Sequence, residues 1–151
     1  MARTLAQSLA LIDAELQAPV PRQGPSADNA RASTVWGRRE LAAAARHYLR
    51  CRRQRESTFS GDLFADPAWD LLLDLFACAN EGKQVTVSGA CIAANVPAST
   101  ALRWLSRIES RGLIARRPDP ADGRRTYLEL TPEAERQMAQ WLRSTFPIRE
   151  R

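Results

Sequence analysis

Residues 98–131 read ASTALRWLSRIESRGLIARRPDPADGRRTYLELT, and this stretch decides the fold. Its first part predicts a helix over residues 98–111, because apolar side chains recur at the spacing of one buried helical stripe. Hydroxyl and arginine side chains fill the opposite side. Gly112 suits the position that follows a helix, where a positive φ is common and a side chain is costly. The members of the predicted stripe are Leu102, Trp104, Leu105 and Ile108.

Two extended runs, over residues 113–117 and 125–130, are predicted to follow the helix. In the second run apolar and polar residues alternate, which is typical of a strand with one buried face. Proline, aspartate and glycine crowd the turn between the runs, and Arg124 and Arg125 stand at its tip. The sequence therefore predicts a β-hairpin that forms a basic wing.

A second, shorter helix is expected just before this one. Residues 83–87 form a short β-branched run, and Ser88 is predicted to cap a helix over residues 89–95. Val96 and Pro97 then force a turn, because the residue before a proline avoids the helical conformation. Helix, turn, helix and hairpin make a winged helix-turn-helix, in which the second helix enters the DNA major groove. The predicted fold class is mainly α with a small β-hairpin (α+β) and an N-terminal helical extension.

The segments STALRWLSRIESRGLI, RRPDPADGRR and LELTPEA, within residues 66–135, resemble the DNA-binding core of MarR-type transcriptional regulators. The run DLFADPAWDLLLDLF, taken with CIAANVPASTALRW, also resembles a small MarR-related group of winged-helix proteins. The resemblance implies a sequence-specific regulator with its recognition helix in the major groove of double-stranded DNA and its wing in the minor groove. The matching positions are Ser99, Thr100, Arg103, Arg107, Glu109, Gly112, Leu113, Asp122, Arg124 and Arg125.

Four residues of the predicted recognition helix are candidate DNA contacts. Ser99 and Thr100 lie at its N-terminus, where hydroxyl and free N–H groups meet phosphates or base edges. Arg103, one turn further on, is placed for a bidentate contact with guanine O6 and N7. Arg107 lies further from the groove floor and is expected to meet phosphate. Trp104 is expected in the core and not as a base-stacking platform.

Three residues of the wing complete the candidate site. The resemblance implies that Asp122 braces the wing and that Arg124 probes the minor groove, with Arg125 beside it. The whole chain is also basic, with 22 lysines and arginines against 17 aspartates and glutamates and a formal net charge of +5. A basic balance favours a polyanionic partner.

Two other functions stay open. One is a winged-helix adaptor that binds a regulatory protein and not DNA, since arginines on a helix are often simply solvated. The other is a redox-responsive repressor that senses through Cys51, because the neighbouring arginines would favour its thiolate.

The sequence argues against a membrane protein, a metal protein and an enzyme. No apolar run approaches the roughly 18 residues of a spanning helix, and Gln7, Ser8 and Asp13 interrupt any signal-peptide core. A cytoplasmic location is therefore expected. Three cysteines without CxxC spacing argue against a disulfide framework or a zinc site. With a single histidine, His47, and no phosphate-cradling or HExxH motif, neither a catalytic site nor a cofactor is expected.

The chain divides into five predicted segments. In the third segment, an alanine-rich apolar strip runs along one side of the helix, and seven arginines occupy the rest of its surface. These arginines are expected either to be solvated or to contact DNA phosphates or an acidic partner. The segments are an N-terminal helix over 1–17, a flexible linker over 18–34, a basic helix over 35–57, the winged domain over 62–131, and a C-terminal helix and tail over 132–151. The arginines are Arg38, Arg39, Arg46, Arg50, Arg52, Arg53 and Arg55.

Capping residues predict where two of the helices begin. Asp66, followed by proline, suits the start of the first winged-domain helix, whose Asp70 and Asp74 are expected opposite its apolar face. Thr131, also followed by proline, suits the start of the last helix.

MarR-type proteins bind pseudo-palindromic DNA as dimers, so the resemblance implies a homodimer with two recognition helices about one DNA turn apart. That family usually has two helices after the wing, whereas only one is predicted here. The dimer is therefore expected to use residues 35–56 and 132–146, because both segments carry apolar stripes that the winged core does not need. No small-molecule effector can be named from the sequence.

Overall fold

A computed structural model describes residues 36–59 and 63–146. The predicted N-terminal helix over 1–17, the linker over 18–34 and the last five residues lie outside the described residues. The helices are α1 (Arg38–Phe59), α2 (Pro67–Asn80), α3 (Val87–Ala93), α4 (Ala98–Ser110) and α5 (Pro132–Thr145), and the strands are β1 (Val85–Thr86), β2 (Ile114–Pro118) and β3 (Thr126–Leu130). The predicted class, mainly α with a small β-hairpin (α+β) in a winged helix-turn-helix, is confirmed, and a third strand joins the hairpin.

The three strands form one antiparallel sheet in the order β1-β3-β2. β2 and β3 are the predicted hairpin. β1 adds a strand that was expected only as an extended run, with Val85 opposite Leu128 and Thr86 opposite Tyr127. This pairing satisfies backbone groups along an edge of β3 that a two-stranded ribbon would leave open. It also anchors the wing to the start of the helix-turn-helix.

The first helix of the helix-turn-helix begins earlier than predicted. Thr86, not Ser88, is the N-cap, and its hydroxyl accepts a hydrogen bond from the Gly89 N–H at 3.1 Å. Thr86 is already extended because it belongs to β1, and that conformation suits an N-cap. Asn95, with φ of 52°, lies in the turn that leads to α4.

An apolar core lies beneath α4. Ala101, Leu105 and Ile108 are buried at i, i+4 and i+7, which is one helical stripe. The prediction that Leu102 belongs to this stripe is wrong. Its side chain is 44% exposed, because it lies about 100° round the helix from Ala101. The core is completed by Leu71, Leu75, Cys78, Val85, Ala90, Ala94, Ile114 and Leu128.

The helix ends follow the predicted capping chemistry. Asp66 Oδ1 accepts a hydrogen bond from the Trp69 N–H at 3.2 Å, and Thr131 Oγ1 accepts one from the Ala134 N–H at 3.3 Å. A proline follows each cap. Gly112 has a φ of +69° just after α4, which confirms the reason for a glycine there.

The long helix α1 packs across α2 and α5. Leu41, Ala45 and Leu49 are buried in a second core. The expectation that this apolar strip is left free for a dimer is wrong, because α2 and α5 of the same chain cover it. The helix also continues to Phe59, beyond its predicted end. The other buried members of this core are Leu73, Phe76, Ala77, Met138 and Leu142.

A buried ion pair joins α1 to α2. Arg52 Nε donates to Asp70 Oδ1 at 2.6 Å, and both side chains are less than a tenth exposed. The reading of Arg52 as solvated or facing a partner is wrong, and so is the placement of Asp70 on a polar surface. Each charge is buried because the other neutralises it. Burial raises the pKa of the Asp70 carboxyl above its ordinary value, although Arg52 opposes that shift.

A second ionic cluster lies nearer the middle of α1. Arg46 donates to Asp74 at 2.5 Å and to Glu81 at 2.9 Å. Lys83 also donates to Glu81, at 2.8 Å. Hydrogen bonds from Arg46 and then Lys83 lower the pKa of Glu81 to about 2.

Across residues 36–59 and 63–146, no helix combines the length and the apolar character that crossing a membrane requires.

Candidate nucleic-acid interface

The outer face of α4 carries hydroxyl and arginine side chains. Ser99, Arg103, Ser106, Arg107 and Ser110 are all exposed there. They are exposed because Ala101, Leu105 and Ile108 turn the apolar stripe inward. The face that remains can donate hydrogen bonds to anions and to base acceptors.

The N-terminus of α4 is open to an acceptor. Pro97 occupies the N-cap position and has no side-chain oxygen to offer the first N–H groups of the helix. Ser99 is exposed in this first turn and Thr100 is half-buried. An anion at this end would meet both the free N–H groups and the positive end of the helix dipole.

Arg107 is held by an aromatic neighbour. Its guanidinium carbon lies 5.3 Å from the centre of the Trp104 ring, within the range of a cation–π contact. Trp104 is half-buried and packs on the core beneath α4, as expected of a structural residue. The face of the Trp104 ring that does not pack on the core therefore holds Arg107 toward one side of the helix.

The one acid of α4 is neutralised. Glu109 Oε2 accepts from Arg116 Nε on β2 at 2.9 Å. The ion pair removes a negative charge that would repel a phosphate. It also ties the helix to the first strand of the wing.

Asp122 organises the tip of the wing through the backbone. Its Oδ1 accepts from the Arg124 N–H at 3.1 Å, and its carbonyl accepts from the Arg125 N–H at 2.8 Å. Its Oδ2 also lies 3.4 Å from Arg125 Nε. The geometry gives Asp122 the means to brace the turn. The side chains of Arg124 and Arg125 are exposed, with that of Arg125 drawn toward Asp122.

The sequence reading missed Asp119 as an organiser of the same turn. Its Oδ1 accepts from the Ala121 N–H at 2.9 Å and its Oδ2 from the Tyr127 hydroxyl at 3.0 Å. These two hydrogen bonds hold the pKa of Asp119 below its ordinary value. The available signal was an aspartate two residues before a backbone donor, which is the spacing of an Asx-turn.

Several arginines of α1 serve contacts inside the chain. Arg38 and Arg53 donate to the carbonyls of Ala79 and Ala93, at 2.7 and 3.0 Å. Arg55 donates to the Phe64 carbonyl at 3.4 Å. With Arg46 and Arg52 in ion pairs, five of the seven arginines predicted to be solvated or to bind an anion have contacts inside the chain. Arg53 thereby links α1 to the end of the first helix of the helix-turn-helix.

The thiol of Cys51 is exposed, and its Sγ lies 3.6 Å from His47 Nε2. In the part of the chain that the structure describes, no three side chains of the histidine, cysteine, aspartate or glutamate type gather in a way that could hold a metal ion.

No protein-family model matches this sequence, and no curated protein matches it either. Several solved structures are similar. Apo, heme-free PefR is 24% identical with a TM-score of 0.44, over 67% of this chain and 83% of that one. The DNA complex of S. aureus MepR is 21% identical with a TM-score of 0.46, over 69% and 80%. Wild-type apo MarR from E. coli is 17% identical with a TM-score of 0.44, over 69% and 72%. These similarities are distant, since each of the three TM-scores is below 0.5.

Proposed function

We propose that this protein is a sequence-specific, DNA-binding transcriptional regulator of MarR type, with α4 in the major groove and the β2–β3 wing in the minor groove. The observation that carries the proposal is the outer face of α4. It presents serines and arginines, and its only acid, Glu109, is paired with Arg116. A helix with a free N-terminus and a cationic, hydroxyl-bearing face is suited to phosphates and base edges.

The proposal divides the contacts by chemistry. Ser99 and Thr100, with the N–H groups around them, hold phosphate at the start of α4. Arg103 reads guanine through O6 and N7. Arg107, fixed over Trp104, meets phosphate on the flank of the groove.

We also propose that the wing enters the minor groove. Arg124 is the inserted side chain, because the hydrogen bond from its N–H to Asp122 fixes the backbone from which it extends. Arg125 supplies charge beside it. An arginine in a minor groove responds mainly to groove width and negative potential, so the wing adds affinity more than base discrimination.

A homodimer is part of the proposal, because the family that the sequence resembles binds DNA as dimers. The apolar strip of α1 is already buried within the chain, so the subunit contact would use other surfaces of α1 and α5. Sedimentation of the full-length chain, alone and mixed with a DNA duplex that it binds, measures how many chains assemble. Two chains per duplex are expected, and one chain per duplex would rule out the homodimer.

The direct test of function is enrichment of sequences from a random duplex library by the full-length chain. Affinity for the enriched duplex and for random duplex is then measured at several salt concentrations. Tighter binding to the enriched duplex, weakening as salt rises, is the expected result. Absence of enrichment at low salt would overturn the proposal and favour an adaptor that binds protein.

A further inference from the structure

Two large apolar side chains lie exposed beside the basic face of α4. Ile92 on α3 is 83% exposed and Leu102 on α4 is 44% exposed. Both line one open groove, together with Val96 and Pro97 of the intervening turn. Neither belongs to the core that holds the helix-turn-helix together. Folding therefore does not explain why these positions are apolar.

Leu102 stands among the candidate DNA contacts. It follows Ser99 by three residues and precedes Ser106 by four, so the three side chains are neighbours on the helix surface. Arg103 is the next residue in the chain. Leu102 is the fifth residue of α4, and the N-terminal residues of a recognition helix are those that contact base edges in the major groove.

We propose that Leu102 contacts the 5-methyl group of a thymine in the major groove and so adds a preference for thymine at that position. This inference rests on the DNA binding proposed above. Thymine is the one DNA base that presents a methyl group there, and an apolar side chain is the usual partner for it. The contact removes both surfaces from water, which favours binding. The serines and arginines of α4 recognise hydrogen-bonding groups, and Thr100, which also carries a methyl group, is half-buried.

The helix that carries Leu102 is cationic. Arg103 and Arg107 are exposed on α4, and the wing carries further arginines. An exposed leucine next to Arg103 on a cationic helix suits a polyanionic partner that also offers an apolar group, as the major groove of DNA does. Selective binding that no deoxyuridine replacement changes would leave a protein partner as the alternative occupant of this patch.

The experiment removes only the methyl group. Thymines in the enriched duplex are replaced one at a time by deoxyuridine, and the affinity of the full-length chain is measured for each duplex. At one or more positions the loss of the methyl is expected to weaken binding about fourfold, the effect of one buried methyl-sized group. Leu102→Ala should bind the thymine and deoxyuridine forms equally at that position. Leu63→Ala is the matched control, because Leu63 is 81% exposed and lies outside the helix-turn-helix.

The possible results separate this inference from the proposed function. Selective binding that no deoxyuridine replacement changes would overturn the inference and leave the function intact. A methyl effect that persists in Leu102→Ala would do the same. The replacements are made in the DNA, so a folding defect in a variant cannot imitate the first result. Failure to enrich any duplex would overturn the proposed function and this inference together.

Discussion

Glu109 Oε2 accepts a hydrogen bond from Arg116 Nε at 2.9 Å, which joins α4 to the first strand of the wing. The pair lies between the two elements proposed to enter adjacent grooves. It therefore connects the wing to α4, and it leaves the outer face of α4 without a free negative charge.

Replacing Glu109 by glutamine should make the interface more cationic by one charge. Arg116 would then be free to meet a phosphate, and binding to random duplex should tighten. The log–log dependence of affinity on salt should steepen by up to about 0.9, the value for one phosphate contact. Glu133→Gln is the matched control, because Glu133 pairs with Arg136 on α5. Equal slopes in the two variants would show that Arg116 does not face DNA.

Asp119→Ala should loosen the wing, because Asp119 accepts hydrogen bonds from the Ala121 N–H and the Tyr127 hydroxyl. Amide exchange at Ala121 should accelerate, and affinity for enriched and random duplex should fall by similar factors. Asp119→Asn is the control, since its side-chain oxygen can still accept the Ala121 bond. Protection of Ala121 unchanged in Asp119→Ala would contradict this role.

Asp70→Ala should destabilise the protein by up to about 3–5 kcal/mol, because it leaves the buried Arg52 guanidinium with only the more distant carboxylate of Asp66, at 3.9 Å. Arg52→Met combined with Asp70→Leu should recover much of that loss, since apolar residues of similar volume can replace a buried pair. Urea unfolding followed by circular dichroism measures each variant. A double variant less stable than Asp70→Ala alone would contradict the explanation.

The carboxylate of Glu81 should stabilise the fold at neutral pH and lose this effect in acid. Its pKa in the folded protein is about 2, below the ordinary glutamate value, because Arg46 and Lys83 donate to it. A carboxyl with a lowered folded pKa stabilises the fold above its unfolded pKa of about 4.3 and loses that contribution as pH falls toward 2. Glu81→Gln should therefore be less stable than the parent at pH 7 and nearly equal to it at pH 2.

The expected difference at pH 7 is no more than about 1 kcal/mol, because solvent screens a pair this close to the surface. Urea unfolding of both proteins at pH 7 and pH 2 measures it. A gap that is the same at both pH values would mean that the charge of Glu81 is not what stabilises the fold.

The sequence predicted the elements whose signals are local. The caps at Asp66 and Thr131, and Gly112 at its positive φ, depend on nearby backbone geometry and were predicted correctly. The pairing of β1 with β3 and the ion pair of Arg52 with Asp70 were not predicted, because both join residues distant in the chain.

Within the candidate site, local features were likewise easier to predict from the sequence than contacts between distant residues. The spacing of α4 predicted an exposed face with Arg103 at its middle, but it assigned Leu102 to the core. Ala101 fills that core position instead, and a small residue carries a weaker signal in a hydrophobic pattern than a leucine does. The reach of Asp119 to Tyr127 across the wing likewise depends on the closed hairpin and not on adjacent residues.

The ratio of affinity for the enriched duplex to affinity for random duplex, measured for Arg103→Ala and Arg124→Ala across a salt series, tests the central claim most directly. Arg103→Ala should lower the ratio by the equivalent of roughly 1–3 kcal/mol, because a bidentate guanine contact discriminates by that amount. Arg124→Ala should weaken binding to both duplexes, leave the ratio nearly unchanged and flatten the salt dependence by about 0.9 in the log–log slope. A ratio unchanged by Arg103→Ala would contradict the assignment of α4 as the helix that reads DNA.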